Sequence, residues 1–475
     1  MSNLPIYQQA VDWDWLFREY PVPDIFEQSV WRWPREKVEA LQERRVRETV
    51  QRGWNNPFYR ELWQNAGLEQ DDIQGLSDLP LLPTFTSDDI KQNQQAHPPF
   101  GSIQGIEVKD GSIPLKVQTS GGTTGKPRPT LFGPIDWEMN GLTCARALYI
   151  QGARPGDIMQ LPLTNSLANL GWAYYKACHD YLGILPLTTG SGNVLPTRKQ
   201  LELAFDWGTT IWGNMAEYFT HVGAVAREEL GREVAELGTK FIATFLGPDI
   251  EGDLRQAIEE TWGCDVYDNY GTHEMGMGAF ECREKHGLHF MEDCMYFEVV
   301  DTETLEPITP GKTGNLVVTV FHRRIPPIIR YNLRDLARVI SADTCGCGSN
   351  FRRMDHFLGR ADEMVKLRGV NVFPMACLRA VRSDARTAGE WICVVERSHE
   401  GGEIRDDMTV QVETKSDVTD RAALHQALER ELQHDLGVRV KVELVEEGAL
   451  ADIANYKGEG KARRLLDRRF AGTKH

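Results

Sequence analysis

Long apolar runs are missing from this sequence. No stretch approaches the roughly eighteen consecutive apolar residues of a membrane-spanning helix, so no membrane partner is expected. Positive charge is short as well. The chain carries 53 Lys and Arg against 69 Asp and Glu, a formal charge of −16, and that balance argues against nucleic acid, whose phosphates need clustered Lys and Arg. It leaves room for a phosphate ligand, because a few backbone N–H groups and one local cation suffice for that. Cysteine is sparse: nine in 475 residues, an odd number with no dense framework. A reducing, cytoplasmic compartment is therefore expected, with any clustered thiols acting as metal ligands rather than disulfides. The first residues, MSNLPIYQQAVDWDW, lack the basic start and apolar run of a secretory signal. Repeats and low-complexity tracts are absent too. What is present, 41% hydrophobic and 26% charged residues, is ordinary globular composition, and the length predicts about two to four domains.

The pattern along the chain predicts an α/β protein. Residues 35–67 read as helix, with Val38, Leu41, Val46 and Val50 near helical spacing. Another helix is predicted over 138–153. Strand-like runs then recur at IMQLPL, IWGNM, FIATFLG, CDVYDNYG and MYFEVVD, and the run AVAREELGREVAEL between two of them reads as helix. This alternation predicts βαβ units with helices on the sheet faces. From about 290 to 340 strands dominate, as in NLVVTVFH and PIIRYNL, which predicts a β-rich subdomain. A boundary is expected near Gly359-Arg360. Beyond it, TVQVETK and VRVKVELV flank the amphipathic DRAALHQALERELQHDLG, which predicts a small α+β domain. The expected division is thus 1–358 and 359–475.

The first chemical signal is Ser120-Gly121-Gly122-Thr123-Thr124-Gly125-Lys126-Pro127. Glycines let backbone N–H groups approach an anion, hydroxyls add donors and one lysine adds charge. It is not a Walker A loop, since Ser120 stands where a glycine is needed and Pro127 where Ser or Thr is needed. The plain alternative is a flexible hairpin turn between LKVQ and TLFG.

The loop resembles the phosphate loop of the adenylate-forming enzymes, which include acyl-CoA synthetases and peptide-synthetase adenylation domains. Further segments follow in the matching order. Tyr270-Gly271-Thr272-His273-Glu274 resembles the YGxTE element, with His273 replacing Thr or Ser. Arg330 to Asp335 resembles RYxTRD, with Leu333 in place of Thr. Gly359 to Met364 and Arg368 to Pro374 resemble the hinge segment, and Gly458-Glu459-Gly460-Lys461-Ala462 resembles the EGKA ending. RGVNVFP, EGKAxR, NNPFYRELW and DLPLLPTFTSDDIK together point to the phenylacetate–CoA ligase family, over residues 40 to 468. The Trp-rich first 35 residues fall outside the resemblance.

The resemblance implies an AMP-forming acid–thiol ligase. ATP and an aromatic or arylacetic acid would give an acyl-adenylate, and CoA would then displace AMP. Lys461 would bridge the carboxylate and the phosphates, with Lys457 as its decoy, and Glu274 would hold Mg²⁺. Asp335 would accept from the ribose hydroxyls, Tyr270 would stack near the adenine, and Asn269, Gly271 and Thr272 would complete that nucleotide element. Gly247, Pro248 and Asp249 would lie beside the adenine. Trp172, Tyr174 and Tyr175 are candidates to pack on the acid's ring, with plain helix packing as the alternative, and His273 would stand beside its carboxylate or ring. Asp362 would be the hinge of a mobile C-terminal lid.

Cys282, His289, Cys345 and Cys347 match a set that some relatives carry as a structural zinc site, although their spacing is unlike zinc-finger pairs. Inert cysteines are the alternative there, and His286 is the competing ligand. Transfer to a carrier protein or an amine instead of CoA, a catalytically idle homologue, and a homodimer all stay open at the level of sequence.

Overall fold

The computed structural model describes residues 4–120, 127–247, 249, 252–341, 343–361, 365–367, 370–400, 403–454 and 463–469. The chain divides into two compact units, Met1–Leu358 and Gly359–His475.

The first unit is built on an eleven-stranded mixed sheet. Leu185–Leu187, Ile158–Gln160, Ile211–Met215, Phe241–Phe245 and Asp265–Thr272 run parallel. IWGNM and FIATF are buried on both faces, which is why they read as continuous apolar runs rather than alternating ones. Helices Thr197–Trp207, Ala216–Val225 and Asp253–Trp262 supply crossovers between these strands. From Asp265–Thr272 onward the pairing turns antiparallel, through Gly276–Glu281, Leu288–Phe290, Arg353–Met354, Ile328–Ser341, Thr313–Val320 and Met295–Val300. The strand that ends in Tyr270-Gly271-Thr272 is therefore the seam between the two halves.

Helix Pro134–Gln151 is buried on nearly every face. Its polar side chains must then find partners inside the protein. Arg146 pairs with Asp293 at 2.8 Å, Glu138 with Lys176 at 2.8 Å, and Gln151 donates to Asn269 at 2.9 Å.

Two helical stretches break where the sequence suggested continuity. Residues 35–67 form Arg35–Trp54 and Pro57–Asn65, because Asn56 caps the second helix by accepting from the Phe58 N–H at 3.0 Å and Pro57 starts it. AVAREELGREVAEL is also split. Helix Ala216–Val225 loosens into a wider turn that Gly231 closes at φ +63°, before a short turn at Val234–Leu237.

Residues 4–35 pack against the rest of the first unit. Trp31 is fully buried against Phe280, His289 and Phe351, with ring centroids 5.4, 4.7 and 5.4 Å away. Phe26 is fully buried and lies under the Arg146 guanidinium at 4.3 Å.

The second unit has a four-stranded sheet ordered Lys441–Glu446, Glu403–Thr414, Thr387–Glu400, Leu465–Asp467. Helix Arg421–Leu436 buries Leu424, Leu428, Leu432 and Leu436, a stripe at intervals of four, in a core that includes Trp391 and Val410. Among the described residues, no helix is long and apolar enough to cross a membrane.

Candidate active site and metal centre

The glycine loop springs from an antiparallel hairpin. Lys116–Ser120 pairs with Arg128–Phe132, with Ser120 opposite Arg128 and Lys116 opposite Phe132. Thr119 N–H donates to Leu167 O at 2.8 Å, tying the hairpin to the segment that precedes helix Leu170–Lys176. Gly121, Gly122, Thr123, Thr124, Gly125 and Lys126 lie outside the described residues.

The seam strand ends at Thr272, and a turn carries His273 and Glu274 before the chain re-enters the sheet at Gly276. A Cβ on Gly271 would stand 2.5 Å from the Gly276 carbonyl oxygen, so this close return requires glycine. Glu274 is buried and ion-paired with Arg128, and the Tyr331 hydroxyl donates to its Oε1 at 3.4 Å. Burial pushes the Glu274 carboxyl upward. The Arg128 guanidinium outweighs it and holds the group below the usual carboxylate range. A buried, ionised carboxylate is the hard oxygen donor that Mg²⁺ takes.

His273 turns its ring edge-to-face with Phe132, at 6.2 Å and 90°. Burial pushes its pKa down to about 4, so it is neutral at pH 7. Its Nε2 is enclosed without a hydrogen-bond partner among the described residues.

Asp335, on strand Ile328–Ser341, accepts from the Tyr270 hydroxyl at 2.6 Å. Arg330 makes a two-pronged pair with Glu298, at 3.1 and 3.0 Å, and Arg334 pairs with Asp88 at 2.9 Å. Tyr270 also stacks on Phe357 at 6.2 Å.

Other expected residues are held by partners of their own. Asn269 is engaged at both ends, donating to Thr244 O at 3.0 Å and accepting from Gln151 at 2.9 Å. Gly247 has φ +70°, and the Asp249 carboxylate accepts from the Leu254 and Arg255 N–H groups at 3.1 and 2.9 Å, capping helix Asp253–Trp262. Tyr174 is fully buried in the core, and Tyr175 stacks on His179 at 5.4 Å. Trp172 stands beside the hairpin, its ring 4.4 Å from the Lys116 ammonium. Pro248, Asp362, Lys457 and Lys461 lie outside the described residues.

No motif in the sequence marks Arg128, the partner of Glu274, or Tyr7, the partner of Glu138. A positional signal for Arg128 was available, since it is the first cation beyond Lys126 on the strand leaving the loop. Tyr7 gave none.

Cys282, His289, Cys345 and Cys347 come together from three segments, with their ligand atoms all within 4.8 Å of one another. Cys282 and Cys345 sulfurs are 3.8 Å apart, and Cys347 Sγ is 3.7 Å from His289 Nε2. Thiolates on one tetrahedral zinc, at about 2.3 Å each, would be about 3.8 Å apart. Three thiols and an imidazole are the donor set of a closed structural zinc site. His286 is exposed and stands outside the cluster.

Comparison with known proteins follows this geometry. The chain is 32% identical over 464 residues to a phenylacetate-coenzyme A ligase of Thermus thermophilus, covering 92% of this chain and 98% of that protein. It belongs to the phenylacetate–CoA ligase family. A second member of the family, from Aromatoleum evansii, is 30% identical over 91% of this chain and 95% of its own length. Residues 369–469 match the AMP-binding enzyme C-terminal domain. Among solved structures, the family fold is similar to 2-hydroxyisobutyryl-CoA ligase in its postadenylation state with R3-HIB-AMP. That likeness has a TM-score of 0.80 and 25% identity, over 93% of this chain and 91% of the other. The same ligase with 2-HIB-AMP and CoA in its thioesterification state gives 0.67 and 27%, over 92% and 91%.

Proposed function

We propose that this chain activates an aromatic or arylacetic carboxylic acid with ATP and then transfers the acyl group to CoA. As a member of its family it is an AMP-forming acid–CoA ligase. The observation that carries the site assignment is the convergence on one turn, Tyr270 to Glu274, of Asp335 from a distant strand and Arg128 from the loop hairpin.

The acid's carboxylate attacks the α-phosphate and pyrophosphate leaves. The CoA thiolate then attacks the acyl carbon of the adenylate and AMP leaves. The first step brings two anions together, so the protein must spread positive charge over the phosphates. The loop 120–126 would do so with backbone N–H groups and Lys126, and Lys461 would bridge carboxylate and phosphate. Glu274 would hold Mg²⁺, which would supply further charge neutralisation. Asp335, oriented by Tyr270, would accept from the ribose hydroxyls. Neutral His273, whose Nε2 has no hydrogen-bond partner among the described residues, would stand beside the acid's carboxylate or ring. Residues 1–358 would bind ATP and acid, and residues 359–475 would move as a lid about Asp362. Cys282, His289, Cys345 and Cys347 would hold a structural zinc. Nine cysteines free of disulfides suit a reducing cytoplasmic setting. CoA as acceptor, rather than a carrier protein or amine, is supported by the CoA complex of the ligase with the similar fold.

The test is Lys461→Ala. It should bind ATP and lose most acid-dependent pyrophosphate release; undiminished release would remove Lys461 from the mechanism.

A further inference from the structure

Arg323 is fully buried and has no ion-pair partner among the described residues. We propose that its charge serves the reaction: from behind the turn Tyr270 to Glu274, and without touching substrate, it stabilises the phosphate and carboxylate anions gathered there. This rests on the ligase reading above and extends it.

An arginine taken out of water normally brings a carboxylate with it. Arg146 and Arg330 do so, with Asp293 at 2.8 Å and Glu298 at 3.0 Å. Arg323 does not. Its Nη2 donates to the Leu131 carbonyl at 3.3 Å, and its guanidinium lies over the Phe132 ring at 4.3 Å. Nε and Nη1 are enclosed without a hydrogen-bond partner among the described residues. The two carboxylates whose charge reaches Arg323 are Asp136 and Glu274, and both are already engaged. Asp136 accepts the Gly133, Arg324 and Ile325 N–H groups at 2.9, 2.7 and 3.1 Å, and Glu274 holds Arg128. Burial pulls the Arg323 pKa down, yet a guanidinium starts so high that it stays protonated at neutral pH.

Position gives this charge a use. Leu131 and Phe132, which Arg323 touches, end the strand that leaves the glycine loop, and Arg128 at the start of that strand holds Glu274. Phe132 in turn meets His273 edge-on at 6.2 Å. Arg323 thus stands one side chain behind the turn. The first half-reaction brings a carboxylate to a polyphosphate, and a fixed positive charge in a water-excluded interior stabilises such anions without reorganising. Enclosed as it is, Arg323 acts through space. For stability alone a neutral side chain of similar length would serve better, because nothing offsets the desolvation of an unpaired buried charge.

The experiment measures AMP and adenosine binding to the full chain by calorimetry, in wild type, Arg323→Met and Arg323→Lys, with thermal unfolding of each. The two ligands differ by the phosphate, so a distorted site weakens both alike and a lost field weakens AMP alone. Arg323→Met should lower the preference for AMP over adenosine by about tenfold, the order of one unit charge acting across a partly screened interior. Acid-dependent pyrophosphate release should slow to a similar extent in kcat/KM, on whichever of phenylacetate, benzoate and indole-3-acetate wild type uses best. Arg323→Lys should stay near wild type in both, and the melting temperature of Arg323→Met should hold or rise. A preference or a rate unchanged in Arg323→Met overturns the proposal. So does Arg323→Lys as impaired as Arg323→Met, since shape rather than charge would then be required. Should Arg323→Met not fold, Arg323→Gln, which keeps a donor for the Leu131 carbonyl, takes its place; failure of both assigns the cation to the fold and also overturns the proposal. A wild type that binds neither AMP nor adenosine overturns the ligase reading itself, and this inference with it.

Discussion

The Tyr270 hydroxyl donates to Asp335 Oδ2 at 2.6 Å, joining two strands whose contacting residues are 65 apart in sequence. In the proposed role, Asp335 would accept two ribose hydroxyls, and the bond from Tyr270 helps hold its carboxylate in place. Tyr270→Phe should therefore raise the KM for ATP by about tenfold, since a hydrogen bond to a charged group contributes about 1.5–3 kcal/mol. The KM for the acid should move much less. Initial-rate kinetics with each substrate varied would show the split, and an equal rise in both would detach Tyr270 from the nucleotide.

Arg128 governs the charge on Glu274. With it present, the Glu274 carboxyl stays below the usual carboxylate range despite burial, so it is ionised throughout neutral pH. In Arg128→Gln the largest charge opposing burial is lost, while His273 and the hydrogen bonds to the carboxylate remain, and the pKa rises, by about one to three units for loss of a close opposite charge. The acid limb of the kcat/KM profile should move to higher pH by that amount. The linked stability has the matching sign. A depressed folded pKa stabilises above the unfolded value, about 4.3 for glutamate, and that contribution is lost as pH falls through the folded pKa. Superimposable pH profiles would contradict this.

Four ligand atoms within 4.8 Å should hold about one zinc per chain when the protein is purified without chelator. Cys345→Ser should lose the metal and lower the melting temperature. Cys144→Ser, a buried thiol outside the cluster, should keep the metal. Less than half an equivalent in the wild type would remove the site.

Trp31 fills the space between His289, Phe280 and Phe351. Trp31→Ala should cost about 3–5 kcal/mol, the range for truncating a large buried aromatic, read by urea unfolding. It should also loosen zinc retention, because one face of the candidate ligand His289 loses its neighbour.

The candidate glycine loop, Glu274 and Asp335 stand out in the sequence because each lies in a short segment that resembles a family motif; residues 121–126 of that loop lie outside the described residues. The parallel strands were visible for a different reason, since burial on both faces leaves an unbroken apolar run, as in FIATF. Arg128 carries only a positional hint, as the first cation beyond Lys126, and Lys116 and Tyr7 carry none. Each acts through a partner far along the chain: Glu274 for Arg128, Trp172 for Lys116 and Glu138 for Tyr7. The first 35 residues gave no hint that Trp31 would pack on a metal-ligand candidate 258 positions away. Helical periodicity over 224–237 misled for a local reason, because Gly231 permits a left-handed stop that apolar spacing cannot register.

The most direct measurement gives the full chain ATP, Mg²⁺ and each acid of a panel of aromatic carboxylic acids, with and without CoA, and follows pyrophosphate, AMP and thioester. Pyrophosphate should appear only when the acid is present, and adding CoA should yield AMP and aryl-CoA in equal amounts. No acid-dependent pyrophosphate across the aromatic panel, or adenylate that CoA fails to discharge, would contradict the account.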